Sequence, residues 1–159
     1  MKKGFTLIEL LIVISVVMIL VAISFPMFSF FRKESELNSA SEEIISILRI
    51  AQNRTISSKQ ANSWGVYFNR TTSPESITLF KGKSYATRES GEDKRALLPL
   101  SVEMFEIDFQ NIGSEVIFER ITGKAIQVGH IAIRIINDPR KERLICIGPY
   151  IIGLCQGYE

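Results

Sequence analysis

The chain is poor in the side chains that most often carry metal and acid–base chemistry. Its 159 residues include one histidine, His130, and two cysteines, Cys146 and Cys155, with no Cys-x-x-Cys. That inventory excludes a Cys/His zinc site, and neither a metal nor a cofactor is expected. Also missing are Gly-x-Ser-x-Gly, His-Glu-x-x-His, a Walker-type loop and Gly-x-Gly-x-x-Gly, so no enzymatic activity is expected. A strong excess of one charge is absent too. Without Lys2 and Lys3, the 19 basic side chains fall to 17, which equals the 17 acidic ones. Such a balance lacks the basic bias of a dedicated nucleic-acid binder.

The most informative scarcity is local. From Phe5 to Phe31 the only ionisable side chain is Glu9, and the rest is largely Leu, Ile, Val, Phe and Met. A helix of ~20 apolar residues spans a bilayer. Lys2 and Lys3 precede the run, which keeps that end cytoplasmic and exports the chain beyond the apolar run. From Arg32 onward the composition is that of a single soluble domain.

Residues 1–13 read Met-Lys-Lys-Gly-Phe-Thr-Leu-Ile-Glu-Leu-Leu-Ile-Val. This resembles the type IV prepilin signal: a short basic leader, Gly4 at the cut, Phe5 after it, and Glu9 at the fifth mature position. The resemblance implies cleavage between Gly4 and Phe5 by a prepilin peptidase on the cytoplasmic face, then N-methylation of Phe5. It implies that Glu9 pairs with the α-amine of a neighbouring subunit during assembly. A carboxylate in a membrane helix is costly and calls for such a partner. Pro26 occupies a place where pilins and pseudopilins often carry proline, and the helix is expected to kink or stretch there. The competing reading is an ordinary secretory signal cut after Ala22-Ile23-Ser24. Glu9 inside its apolar region and Pro26 just past its cut argue against it.

After Arg32-Lys33-Glu34, the residues Leu37, Ala40, Ile44, Leu48, Ala51 and Thr55 recur at helical spacing, with Ile47 beside them. They predict an amphipathic continuation over 32–60, ending near Ser57-Ser58-Lys59, whose apolar stripe needs a sheet. Short strand signals occupy 61–159. They fall at Trp64–Phe68, Ser76–Phe80, Ser101–Phe109, Glu115–Ile121, Ile131–Ile135, and a last hairpin of Leu144–Ile147 and Tyr150–Leu154 around Gly148-Pro149. Phe105, Ile107 and Phe109 share a face, with Val102 and Met104 out of phase, which predicts a bulge or bend. Arg88–Arg95 reads as an exposed loop. The expectation is an α+β fold of one long N-terminal helix packed on antiparallel sheet, with about seven strands.

That order resembles the GspH/FimT-type minor pilins and pseudopilins. The residues behind it are Trp64-Gly65-Val66, Leu79-Phe80-Lys81-Gly82, and Phe118 through Thr122-Gly123 to His130-Ile131-Ala132-Ile133. The resemblance implies a minor subunit of a type II secretion pseudopilus or a type IV pilus. It would start in the bacterial inner membrane and end in an extracytoplasmic filament. Its partners would be other pilin or pseudopilin subunits, the prepilin peptidase and the inner-membrane assembly platform.

The remaining features have modest expectations. Cys146 and Cys155 fall in the exported part, where a disulfide is permitted, although two small buried hydrophobes fit as well. His130 reads as a strand-end or surface residue and Trp64 as core. The sequons Asn53-Arg54-Thr55 and Asn69-Arg70-Thr71 read as chance. Arg140-Lys141-Glu142-Arg143 reads as a solvated hairpin loop after Asp138-Pro139. Some FimT-like pilins bind DNA during uptake, and Arg140, Lys141 and Arg143 are the candidates for such contact. The C-terminus, Gly153 to Glu159, lacks the basic tail that would go with it.

Overall fold

The structure is a computed structural model that describes residues 4–57, 62–110, 113–136 and 138–155, the side chains of 24–30 and 139 excepted. The basic residues Lys2 and Lys3, residues 58–61 and the tail 156–159 lie outside it, while the helix expected to end near Ser57 ends at Ile56. The chain divides into two compact units, Met1–Ser35 and Glu36–Glu159. One helix, α1 (Leu7–Ile56), runs the length of the first unit and opens the second.

The first unit is helical from Leu7 onward, and α1 continues through position 26. The expected kink there concerns 24–30, beyond the described side chains.

In the second unit, Leu37, Ala40, Ile44, Leu48, Ala51 and Thr55 are all buried, none more than 1% exposed. The stripe read from the sequence is the face that meets the sheets. Ile47 packs at its margin.

Eight strands make two antiparallel four-stranded sheets. They are β1 (Trp64–Asn69), β2 (Ser76–Lys81), β3 (Lys94–Leu97), β4 (Val102–Phe109), β5 (Glu115–Ile117), β6 (Gly129–Ile135), β7 (Asp138–Ile147) and β8 (Ile152–Leu154). The orders are β3-β2-β1-β5 and β4-β6-β7-β8. One core joins the helix stripe to Trp64, Val66, Phe68, Ile77 and Leu79 of the first sheet. The same core takes in Met104, Phe109, Ile131, Ile133 and Ile145 of the second.

Four expectations need correction. Arg88–Arg95 is not simply an exposed loop, because β3 begins at Lys94 and the turns before it lie against the sheet. Tyr85 stacks on Tyr67 with centroids 3.9 Å apart, and the Arg88 guanidinium sits 3.7 Å from the Tyr85 ring centre. This cover explains why β2 is buried at every position instead of alternately. Gly65 contributes by leaving room for Phe80, whose ring would lie 2.5 Å from a Cβ there.

The second correction concerns β4. Its register shifts between Met104 and Glu106, as the phase break predicts. Phe105, however, stays half-exposed under the Arg134 guanidinium, 4.8 Å away, and does not share the core with Phe109. Third, the strand after Glu115 ends at Ile117, followed by an isolated bridge from Phe118 to Ala125. Ile121 then takes a positive φ of 73°. Fourth, residues 138–143 belong to β7 and are not a hairpin loop.

Candidate functional site

Gly4, Phe5 and Thr6 are the described residues before α1. Thr6 caps the helix: its hydroxyl accepts the Glu9 N–H at 3.3 Å and its carbonyl accepts the Leu10 N–H at 3.2 Å. A helix leaves its first N–H groups without intrahelical partners, and Thr at the cap satisfies one of them. Glu9 lies in the first turn, where the helix dipole favours negative charge. Thr6-Leu7-Ile8-Glu9 therefore has the capping-box spacing. Sequence reasoning took Glu9 as a charge needing a partner and passed over Thr6, although the spacing was there to be read. Among the described residues Glu9 has no ion-pair partner.

Thr6 and the two residues upstream of it, Gly4 and Phe5, are not helical. Nothing described lies within 4 Å of where a Gly4 Cβ would be, and Phe5 is 75% exposed. The Gly4–Phe5 bond therefore stands outside the helix in open space.

From Leu7 to Ile23 the helix is apolar on all sides. Each large apolar side chain in this stretch is at least 47% exposed. Its interior polar group, Ser15, donates to the Leu11 carbonyl at 2.8 Å, so the hydroxyl is satisfied without water. A helix hydrophobic all round is built for burial in something else. Among the described residues no helix is long and apolar enough to cross a membrane. The apolar sequence runs to Phe31, and the side chains of 24–30 within it are not described.

Residues 1–25 match the prokaryotic N-terminal methylation motif. This finding supports a type IV pilin-like protein. A motif of this type implies processing by a prepilin peptidase, assembly with other pilins, and a membrane-anchored stage before the filament. It points to a structural subunit rather than an enzyme. No curated protein and no solved structure matches the chain.

The pilin-type motif covers Gly4, Phe5 and Glu9, which the structure gathers at the start of α1. The other candidates lie elsewhere. Pro26 is within α1. Cys146 on β7 and Cys155 just after β8 form a disulfide, with Cα atoms 5.1 Å apart. It closes the hairpin whose turn exposes Tyr150 and Ile151. Arg140 lies 3.5 Å from Asp138, and Arg143 donates to Asn38 on α1 at 3.2 Å. Lys141, beside them on β7, also has a partner. The Arg140 side chain nonetheless stays 92% exposed. His130, second residue of β6, is half-exposed with Nε2 4.0 Å from a Glu106 oxygen.

Two further polar contacts fasten α1 to the rest of the head. Arg49 donates to the Ile152 carbonyl at 3.1 Å, and Gln52 donates to the Gly123 carbonyl at 3.0 Å. Beside Arg49, a groove is lined by Ile45 and Ile50 of α1 and by Ile151 and Leu154 at β8. Its apolar walls are open to solvent at Ile151 and Leu154.

Proposed function

We propose that this chain is a prepilin-type structural subunit of a filament. The leader, 1–4, is removed between Gly4 and Phe5, and the new α-amine of Phe5 is methylated. Residues 5–31 then hold the subunit in the bacterial inner membrane with its N-terminus cytoplasmic, until assembly transfers them to the filament core. The observation that carries this reading is a helix exposed on every apolar face from Leu7 to Ile23, interrupted by the carboxylate of Glu9. Leaving so much apolar surface in water opposes ~25 cal/mol per Å² of hydrophobic driving force, so lipid or sibling helices must cover it.

Glu9 supplies specificity. An uncompensated carboxylate in hydrocarbon is costly, and cleavage creates a cation at Phe5 that a neighbouring subunit can offer. Their pairing would set the axial register of one helix against the next. The β-rich head resembles the GspH/FimT type, which favours a minor subunit of a type II secretion pseudopilus or type IV pilus. DNA capture through Arg140, Lys141 and Arg143 is the weaker reading, because basic and acidic side chains balance once Lys2 and Lys3 are set aside.

N-terminal mass spectrometry of protein from the membrane fraction tests the proposal. The expected first residue is N-methylated Phe5. A mature start at Phe25 would establish ordinary signal-peptide cleavage and end the prepilin reading.

A further inference from the structure

We infer that Thr6 is a positioning residue for leader removal, holding the Gly4–Phe5 peptide out of the helix in a form a peptidase can grip. The inference rests on the prepilin reading above and assigns a role to a residue beside its cleavage site.

Where a helix begins is a competition among residues able to cap it. Thr and Gly are comparable caps, while Phe and Lys are poor ones. Reading back from Leu7, the candidates are Thr6, which caps α1 here, and then Gly4, two residues upstream. With Thr6 as cap, the Gly4–Phe5 bond lies before the helix. With Gly4 as cap, Phe5 becomes the first helical residue, and that bond enters the first turn. The tertiary structure offers little other control, since Gly4 has open space around it and Phe5 is exposed.

The neighbouring sequence agrees with the Thr6 choice. Glu9 stands at the third helical position of the capping box, and Phe5 and Leu10 fall at the two positions of a hydrophobic staple. A membrane boundary raises the stakes, because uncapped N–H groups in an apolar setting drive further helix formation. Losing Thr6 therefore favours growth of the helix toward the leader.

Hydrolysis needs the opposite. Water delivers its oxygen to the Gly4 carbonyl carbon and a proton to the Phe5 nitrogen as the C–N bond breaks. The catalytic groups must reach both faces of that peptide. An extended segment presents them, whereas a helical turn wraps them in neighbouring backbone and side chains.

The test is the initial rate of Gly4–Phe5 cleavage of the full-length precursor by a prepilin peptidase in detergent micelles. Wild type is compared with Thr6→Ala, Thr6→Ser and Thr6→Asn. Thr6→Ala should be cut about fivefold more slowly, the factor matching a cap of ~1 kcal/mol. Thr6→Ser and Thr6→Asn, both good caps, should stay within about twofold of wild type. Asn shares neither hydroxyl nor methyl with Thr, so its rescue separates capping from direct reading of the threonine by the peptidase. Equal rates for Thr6→Ala and wild type overturn the inference, as does an Asn variant as slow as Ala. In both cases wild type is still cut after Gly4 and the prepilin reading stands. Failure of the wild type to be cut there overturns both.

Discussion

The side chain of Thr55 accepts the backbone N–H of Trp64 at 3.0 Å while donating to the Ala51 carbonyl at 2.9 Å. One buried hydroxyl thus joins the last turn of α1 to the first residue of β1. Thr55→Val keeps the shape and removes that acceptor from a buried N–H, which costs ~1–3 kcal/mol. Thr55→Ser keeps the hydroxyl and should lose less. Urea unfolding of the purified protein measures both, and a Val variant as stable as Ser would show the joint to be unimportant.

Ile121 is the reverse case, a position where the native residue is unfavourable. It is β-branched, 74% exposed, and sits at φ 73°. The left-handed region costs an ordinary L-residue ~1–2 kcal/mol, and Asn tolerates it better. Ile121→Asn should therefore raise the thermal midpoint by a few degrees, on the order of the gain from ~1 kcal/mol in a domain of this size. A lower midpoint would mean that Ile121 has packing value that outweighs its backbone.

Glu75 gives the head a pH dependence. Burial pushes its carboxyl above the ordinary glutamate range, and nearby Glu103 pushes the same way. The Met104 N–H, which donates to it at 2.6 Å, and the Arg70 charge oppose this without cancelling it. The folded protein consequently holds this proton more tightly than the unfolded chain. The corresponding stability is fully present below the unfolded value and is lost as pH rises through the raised folded one. Glu75→Gln keeps an acceptor for Met104 and cannot titrate. Its stability relative to wild type should therefore improve as pH rises through that window, measured by denaturant unfolding across it. A difference that does not change with pH would count against the raised proton affinity.

Glu9→Gln separates the two roles available to Glu9. Gln serves in a capping box as well as Glu, so the helix start and leader cleavage should survive. Attraction to the Phe5 amine of a neighbour should not survive. At 4 Å such a pair is worth ~4 kcal/mol at an effective dielectric of 20, against ~1 kcal/mol in water. Cleaved variant should accumulate in the inner membrane, with incorporation into sheared filaments strongly reduced. Fractionation of both proteins side by side decides it, and equal incorporation would remove Glu9 from assembly.

Much of this architecture was legible because two periodicities are strong. The buried stripe from Leu37 to Thr55 could be read directly, as could the alternation Ile131-Ile133-Ile135. The break between Met104 and Phe105 announced its bulge. What escaped was what other segments impose. Lys94–Leu97 carries almost no apolar signal because it is an exposed edge strand, formed by pairing with β2. Residues 138–143 look like a turn, yet Asp138, Glu142 and Arg143 pair with β6 while the register skips 139–141. At the proposed processing site, Gly4, Phe5 and Glu9 were singled out by their resemblance to the prepilin signal. Thr6 was overlooked because its part is a backbone hydrogen bond, which composition does not advertise.

Among the described residues, the buried apolar core lies entirely between Leu37 and Ile152, within the second unit. The helix from Leu7 to Ile23 lends it nothing. Selection can therefore act on the two parts separately. In the function proposed above, that helix must satisfy the lipid, the peptidase and its sibling helices at once, so its tolerance for change is narrow. The head can exchange loops, recolour its surface charge or acquire new contacts without disturbing how the subunit is held. Set on one common handle, a family of dissimilar heads could share a single export and assembly apparatus.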